Sequence, residues 1–277
     1  MRVAAVQLNS TAQKERNLEV AERLVRAAAG DGAELIALPE KWNVLGDAEA
    51  LREGAEALDG PTLGAAAAWA SELGVWLLAG SIAERVEGHD RLANTSVLLA
   101  PDGEAIAVYR KIHMFDVDVG GVFYRESALE EPGDEIVTAT ADGVEVGLGV
   151  CYDLRFPELF RILAVRGARL ITLPSAFTLA TGRDHWEVLV RARAIENQVF
   201  MLAPNQIGEA PPHYSSYGRS LIVDPWGLVL AMAPDEECFV AADLDLDAQE
   251  RVRESLPSLA NRRPEAYQWP QVMEANA

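Results

Sequence analysis

Short apolar strands alternate with helical segments along most of this chain, and that alternation constrains its fold more than any other feature. Residues 3–8 and 34–38 have the composition of strands, and between them residues 13–29 place their apolar side chains on one helical face. The pattern returns where a strand at 144–150 precedes a helix at 157–166 and a strand at 170–173. Alternation of this kind is typical of α/β folds with parallel strands.

The elements fall into two similar halves. Each half carries strand–helix–strand units followed by a hairpin, at 95–109 and at 220–231. No Ser/Gly-rich linker, block of charge or low-complexity segment divides the chain. We therefore predict one domain over residues 1–277, an α/β sandwich of four layers in which two pseudo-symmetric halves pair their sheets face to face. The irregular tail from about residue 264 is expected to pack on this domain or on a partner subunit. Further helices are predicted at 61–73, 184–197 and 246–255, and further strands at 75–79, 136–140, 199–203 and 240–244.

The composition argues against several classes of function. The chain has 43 acidic and 24 basic residues, and its formal net charge of −19 repels nucleic-acid phosphates and anionic membranes. No apolar run reaches the roughly 18 residues of a membrane span, and the N-terminus lacks the apolar core of a signal sequence. Cys151 and Cys238 form no disulfide framework, and the four histidines lack metal-binding spacing. We expect a cytoplasmic protein with reduced thiols and without a metal, nucleic-acid or membrane partner.

A thiol stands where a strand turns into a helix. The apolar run of residues 146–150 ends at Cys151, and a helical segment begins shortly afterwards with Pro157-Glu158. Such a turn lifts a side chain out of the sheet and points backbone N–H groups and a helix N-terminus at it, which lowers a thiol pKa. Cys151 is therefore a candidate nucleophile, although a free cysteine after an apolar strand is often only a small buried side chain.

Two other apolar strands also end at ionisable residues. Glu40 follows Leu38-Pro39, and Lys111 follows the strand that ends at Tyr109. If the strands lie side by side, these ends meet Cys151 at one edge of the sheet. A carboxylate there can take the thiol proton and later activate water. An ammonium can stabilise an oxyanion together with the backbone N–H of Tyr152.

With these residues the chain resembles the nitrilase superfamily of carbon–nitrogen hydrolases over about residues 3–245. The order and spacing fit, since Lys111 follows Glu40 by 71 residues and Cys151 follows Lys111 by 40. The resemblance implies Glu40 as base, Lys111 as oxyanion stabiliser and Cys151 as nucleophile. It also implies an αββα sandwich that forms homodimers or larger homo-oligomers across a helical face. The three signatures of the family stand here as Leu38-Pro39-Glu40, as Tyr109-Arg110-Lys111-Ile112-His113, and as residues 149–158.

The same resemblance implies further site residues. Glu126, 15 residues after Lys111, matches a glutamate that positions the substrate and the catalytic groups. Segments between 174 and 198 look most like the Nit branch, which includes omega-amidase and deaminated-glutathione amidase. There Phe177 and Thr178 are expected to line the pocket. Because that branch hydrolyses amides of small acids, Arg155 either binds a remote substrate carboxylate or pairs with an acid such as Glu158.

The sequence departs from the Nit branch directly after Glu40. Lys41-Trp42 stands where the branch usually carries a small or apolar residue followed by phenylalanine. Lys41 either stabilises the ionised base, contacts an acidic substrate or faces solvent. It is one of only three lysines in the chain, beside 21 arginines. The departure bears on the choice of substrate and leaves the predicted chemistry unchanged.

The predicted function is that of an amidase that releases ammonia from a small carboxylate-bearing amide through a cysteine thioester, without a cofactor. Three alternatives stay open. The same Glu-Lys-Cys site can hydrolyse a nitrile or an N-carbamoyl amino acid. A Cys–His hydrolase can use His113, although the sequence offers no convincing Asp or Asn to orient that imidazole. Less favoured is a binding module without activity that has retained the fold.

Overall fold

The computed structural model describes residues 1–119, 121–212 and 214–267, and it places two β-sheets between two layers of helices. The helices are α1 (Lys14–Gly30), α2 (Ala48–Gly54), α3 (Pro61–Leu73), α4 (Pro157–Val165), α5 (Leu179–Asn197) and α6 (Leu246–Ser255), with 3₁₀ turns at Glu126–Ala128, Cys151–Arg155 and Pro264–Ala266. The strands of the first half are β1 (Arg2–Gln7), β2 (Leu35–Ala37), β3 (Trp76–Leu78), β4 (Ile82–Glu84), β5 (Ala93–Leu99), β6 (Ala105–Arg110), β7 (Asp116–Val119) and β8 (Val122–Arg125). Those of the second half are β9 (Thr138–Ala141), β10 (Val144–Leu148), β11 (Leu170–Thr172), β12 (Phe200–Ala203), β13 (Ile207–Ala210), β14 (Tyr214–Tyr217), β15 (Leu221–Val223), β16 (Val229–Met232) and β17 (Cys238–Asp243).

The two large sheets repeat one topology. The first has the order β17-β1-β2-β3-β5-β4, with β6 paired to β5, and the second has the order β16-β15-β12-β11-β10-β9. In the first, β1, β2 and β3 run parallel and are joined through α1 and α3. In the second, β10, β11 and β12 run parallel and are joined through α4 and α5. Each sheet thus has a parallel centre with antiparallel neighbours, as expected for pseudo-symmetric halves.

Alternate residues of a central strand enter two different cores. Val3 of β1 belongs to the core between the sheets, whereas Val6 belongs to the core under α1 and α3. Successive side chains of a strand point to opposite faces, so a strand covered on both sides must be apolar throughout. The first core also reaches Phe160 of α4 and Trp186 of α5. These layers confirm the predicted αββα sandwich.

The structure corrects the start of one helix and adds short elements. The sequence pattern predicts a helix from residue 184, but α5 begins at Leu179. Gly182 lowers helix propensity and obscures this first turn. Glycine is needed at this position because a Cβ there would lie only 2.3 Å from the side chain of Tyr217 and would clash with it. The helix α2 and the hairpins β7–β8 and β13–β14 were not predicted, since elements of four to seven residues show too little periodicity.

The C-terminal tail is described only in part. Pro264–Ala266 forms a 3₁₀ turn, and Tyr267 after it is exposed. Residues 268–277 lie outside the described residues, and so does most of the predicted packing of the tail. Over the ranges that the structure describes, no helix has the length and apolar character needed to cross a bilayer.

Candidate active site

The structure brings Glu40, Lys111 and Cys151 together from the ends of strands in both large sheets. These strands do not lie side by side in one sheet: β3 and β5 separate β2 from β6 in the first sheet, and β10 belongs to the second. Glu40 follows β2, Lys111 follows β6 directly, and Cys151 follows β10. All three side chains are buried. The ammonium of Lys111 lies 3.1 Å from Glu40 Oε1, and burial and the charge of the Glu40 carboxylate raise the pKa of the Cys151 thiol. The carboxylate therefore binds the cation and acts electrostatically on the thiol.

Cys151 occupies a strained position at the start of a 3₁₀ turn. Its φ of +46° lies in the left-handed region, which costs a residue other than glycine about 1–3 kcal/mol. The turn is held from both sides. The Cys151 N–H donates to the carbonyl oxygen of Pro174 at 2.9 Å. The buried carboxylate of Asp153 accepts from the Val150 N–H at 2.8 Å and from the Tyr109 hydroxyl at 2.7 Å.

Asp153 also binds His113 behind this turn. His113 Nδ1 lies 2.7 Å from Asp153 Oδ1, and the imidazole stacks on the ring of Phe156 at 3.6 Å. The sequence-based view that His113 lacks an orienting acid is therefore wrong. However, within the described ranges no hydrogen bond joins the imidazole to Cys151, whereas the charge of Glu40 acts on the thiol and adds to burial in raising its pKa. The geometry favours Glu40 over His113 as the partner of the thiol.

Three donors fix the Glu40 carboxylate. Its Oε1 accepts from Asn94 Nδ2 at 2.8 Å as well as from Lys111, and its Oε2 accepts from the Ala176 N–H at 2.8 Å. Asn94 was not predicted from the sequence because it lies inside β5, where every residue is buried and periodicity gives no sign of a polar role. A buried Asn in a strand is itself a signal, since it needs a partner.

Glu126 lies on the other side of Lys111. Its two carboxylate oxygens lie 2.9 and 2.8 Å from Lys111 Nζ, and Oε2 also accepts from the Phe115 N–H at 2.6 Å. Burial lowers the pKa of Lys111, but the charges of Glu126 and Glu40 outweigh it and raise that pKa well above the ordinary value. Burial also raises the pKa of Glu126, but the charges of Lys111 and Lys41 outweigh it and hold that pKa well below its usual range. Both groups are therefore ionised at neutral pH.

The Cys151 thiol does not have the lowered pKa that its turn predicts. Burial and the charge of Glu40 raise its pKa well above the ordinary value, and the charge of Lys111 offsets them only in part. The sequence shows the turn and the following helix but neither the burial nor the adjacent carboxylate. The resting side chain is thus a protonated thiol that has to lose its proton to a base during attack.

These groups line one cavity of about 540 Å³. Its wall also contains Tyr152, Phe177 and Thr178, together with β8 and its exposed Phe123. The volume lies within the range usual for small-molecule sites. A small amide would reach the thiol along this cavity.

Arg155 lines the same cavity and is held by aromatic rings. Its guanidinium lies 5.1 Å from the centre of the Phe177 ring and 6.0 Å from that of Tyr152, and Nη1 lies 3.2 Å from His185 Nδ1. Among the residues that the structure describes, no carboxylate lies within 4 Å of this guanidinium. The alternative of a structural pair with Glu158 is therefore wrong.

Lys41 lies inside the protein, so the alternative that it faces solvent is wrong. Its Nζ is 2.8 Å from Glu130 Oε1 and 3.5 Å from Glu126 Oε1. Its φ of +51° turns the chain directly after Glu40. Glu130 was not predicted from the sequence; it lies four residues after Glu126, and its side chain is completely buried.

Comparison with known proteins identifies the family. The family model described as Carbon-nitrogen hydrolase matches residues 2–254. The chain belongs to the carbon–nitrogen hydrolase family. It is 39% identical over 267 residues to the protein named Omega-amidase NIT2 of Homo sapiens, and the match covers 96% of each chain. These findings make the protein an enzyme of the carbon–nitrogen hydrolase class and confirm the resemblance to the nitrilase superfamily.

Solved structures of this family have the same fold. The NitFhit protein of C. elegans has a TM-score of 0.91 at 34% identity, over 96% of this chain and 66% of that longer chain. An amidase from Nesterenkonia sp. has a TM-score of 0.77 at 26% identity, over 96% of this chain and 94% of that one. The same fold therefore occurs in an amidase of the family.

Proposed function

We propose that this enzyme is an amidase that releases ammonia from a small carboxylate-bearing amide through a thioester on Cys151. The observation that carries the proposal is that the Glu40 carboxylate, the Lys111 ammonium bound to it and the Cys151 thiol line one cavity of about 540 Å³. A base, a cation and a nucleophile are thus within reach of one bound carbonyl group.

The first half of the reaction forms the thioester. The substrate carbonyl oxygen points toward Lys111 and the Tyr152 N–H, and Cys151 Sγ attacks the carbonyl carbon while Glu40 accepts the thiol proton. Because the pKa of Cys151 is raised, proton transfer accompanies the attack. Lys111 stabilises the oxyanion of the tetrahedral intermediate. When the intermediate collapses, the C–N bond breaks, Glu40 returns the proton to nitrogen, and ammonia leaves.

The second half consumes one water molecule. Glu40, again a carboxylate, takes a proton from water as its oxygen attacks the thioester carbon, and Lys111 again stabilises the oxyanion. The C–S bond then breaks and the proton returns to the sulfur, so the carboxylic acid departs and the thiol is regenerated. Glu126 keeps Lys111 directed at the oxyanion throughout, which is the positioning role that we propose for it.

We infer that Arg155 binds a carboxylate of the substrate at the far end of the cavity. A guanidinium fixed against Phe177 and Tyr152, without an acidic partner in the described part of the chain, retains donors for a bidentate carboxylate. Phe177 and Thr178 would contact the carbon chain between the two ends. The similarity to human omega-amidase NIT2 supports the same class of substrate.

The test is ammonia release from a panel of small amides at equal concentration. Alpha-ketoglutaramate, deaminated glutathione and glutaramate carry a carboxylate, and butyramide is the control without one. We expect kcat/KM to be about 10- to 100-fold higher for the carboxylate-bearing amides, since a charged hydrogen bond contributes about 1.5–3 kcal/mol. Turnover of nitriles or N-carbamoyl amino acids in place of all amides would favour the alternative reaction at this site.

We also propose that the chain works as one domain in the cytoplasm and forms a homodimer or larger homo-oligomer. Val188 and Ile195 of α5 and Trp226 of the β15–β16 turn are large apolar side chains that are 65%, 48% and 57% exposed. Arg191 Nε donates to the Gly227 carbonyl at 2.8 Å, so helix and turn form one surface. A second copy would cover such a patch. Sedimentation equilibrium should then give a multiple of 30.0 kDa.

A further inference from the structure

The buried charges of the site continue beyond the residues used in the reaction. Lys111 contacts Glu126, Lys41 lies 3.5 Å from Glu126, and Glu130 lies 2.8 Å from Lys41. The side chains of Lys41, Glu126 and Glu130 are 6%, 10% and 0% exposed. Lys41, Lys111, Glu40, Glu126 and Glu130 thus form one chain of contacts, and Glu40 and Lys111 line the same cavity as Cys151.

The backbone gives Glu130 little freedom to move away from this cluster. Its N–H donates to the Glu126 carbonyl at 2.8 Å, and the next N–H, that of Glu131, donates to the Leu92 carbonyl at 2.8 Å. Leu92 and Leu129 belong to a small apolar cluster together with residues of α2 and β4. A carboxylate in these surroundings is costly unless a cation accompanies it, and Lys41 is that cation.

Stability alone does not account for this pair. The desolvation of two buried ions offsets most of their attraction, and apolar residues of similar volume often replace such a pair without loss of stability. Lys41 also lies next in sequence to the proposed base Glu40 and next in space to Glu126. The pair is therefore placed where it can act on the groups that carry out the reaction.

Charge balance shows how it can act. Glu40 and Glu126 both contact the single ammonium of Lys111, so these three groups alone carry a net negative charge. Lys41 supplies the missing positive charge beside Glu126. Burial and the charge of Glu126, opposed by that of Lys41, raise the pKa of Glu130 to about 7. Below that pH the cluster is neutral, and the protonated Glu130 can share a hydrogen bond with Glu126.

We propose that Lys41 and Glu130 are positioning residues, which together hold the Glu126 carboxylate against Lys111 and so keep the Lys111 ammonium directed at the substrate oxyanion. The inference rests on the proposed function, because it assigns a task to groups of the same site. The cation that faces Glu130 is Lys41, from the loop after β2, and the acid that faces it is Glu126, from the preceding 3₁₀ turn.

The position of the proton gives the proposal a measurable signature. When the pH rises through about 7, Glu130 loses its proton and two carboxylates then compete for Lys41. The added negative charge raises the pKa of the Cys151 thiol further and weakens the hold on Glu126. Glu130→Gln keeps the shape and a hydrogen-bond donor but cannot ionise, so it should prevent both effects. Glu131→Gln removes a neighbouring, partly exposed carboxylate and serves as the matched control.

The first experiment needs no substrate. The rate of Cys151 alkylation by iodoacetamide is followed by mass spectrometry from pH 6 to pH 9 in the wild type, Glu130→Gln and Glu131→Gln. We expect equal rates at pH 6 and at least threefold faster alkylation of Glu130→Gln at pH 9, with Glu131→Gln like the wild type. Identical profiles for the wild type and Glu130→Gln would overturn the proposal.

The second experiment separates positioning from folding. Lys41→Met leaves Glu126 and Glu130 without this cation, whereas Lys41→Met/Glu130→Leu removes both charges and should fold. We expect kcat for ammonia release to fall about tenfold in the double variant, with KM changed less than twofold. A double variant with the wild-type kcat would show a merely structural pair. Absence of ammonia release by the wild type would instead count against the proposed function, while the alkylation profiles would still test the pair.

Discussion

Glu130 should make the stability of this protein depend on pH, and Glu130→Gln should remove that dependence. Its pKa in the folded protein is about 7, against an ordinary value of 4.5. Between these values the folded chain holds a proton that the unfolded chain has released, so the free energy of unfolding falls as pH rises. At about 1.4 kcal/mol for each tenfold change in proton affinity, the loss is about 3 kcal/mol and is nearly complete by pH 8.

The measurement is urea unfolding, followed by tryptophan fluorescence at pH 5, 6, 7 and 8. Other titrating groups contribute equally to the wild type and to Glu130→Gln, so the difference between their unfolding free energies isolates Glu130. That difference should move by about 2.5 kcal/mol in favour of the variant between pH 5 and pH 8, because the unfolded chain has already released most of this proton at pH 5. A difference that stays constant would mean that Glu130 is already ionised at pH 5, which would refute the argument for a neutral cluster.

Three further predictions concern the proposed reaction. Cys151→Ala should retain the fold, as judged by circular dichroism, and lose ammonia release; full activity of this variant would contradict the mechanism. Wild-type enzyme given a slow substrate should show an acyl mass increment on Cys151. Arg155→Met should raise KM for glutaramate about 10- to 100-fold and leave that for butyramide unchanged, whereas equal effects on both would argue against a carboxylate contact. His113→Ala should lower kcat less than about tenfold, because it removes one hydrogen bond to Asp153, and a complete loss of activity would favour the Cys–His alternative.

The sequence predicts the layers of this fold because parallel strands buried on both faces leave an unambiguous pattern. Residues 3–6 of β1 and residues 146–150, which begin within β10, appear as apolar runs, and the amphipathic α1 separates the strands that it connects. The start of α5 was predicted wrongly because Gly182 has low helix propensity. The close packing of Gly182 against Tyr217 depends on the tertiary structure and leaves no local sequence pattern. Local patterns thus fix most elements, while contacts between distant segments decide the exceptions.

The same division applies to the site. Glu40, Lys111 and Cys151 were predictable as site residues because each follows a strand, although their strands come from both large sheets and do not lie side by side. Asn94 and Glu130 were not, since their importance depends on which buried groups face them. The direction of the Cys151 pKa was mistaken for the same reason. A turn is visible in sequence, but the dielectric around a thiol and the carboxylate beside it are not.

The raised pKa of the Cys151 thiol and the binding of the Lys111 ammonium by both Glu40 and Glu126 belong to one arrangement. Glu126 engages Lys111 with both oxygens, at 2.9 and 2.8 Å, whereas Glu40 contacts it with one oxygen at 3.1 Å. The weaker contact with Lys111 leaves Glu40 able to accept the thiol proton. The stronger contact between Lys111 and Glu126 keeps the ammonium in place when that proton arrives and the charge of Glu40 disappears. Lys111 then turns its charge to the new oxyanion with little movement. Glu130 and Lys41 beside Glu126 belong to the same arrangement, because below about pH 7 they keep the buried site neutral before and after each proton transfer.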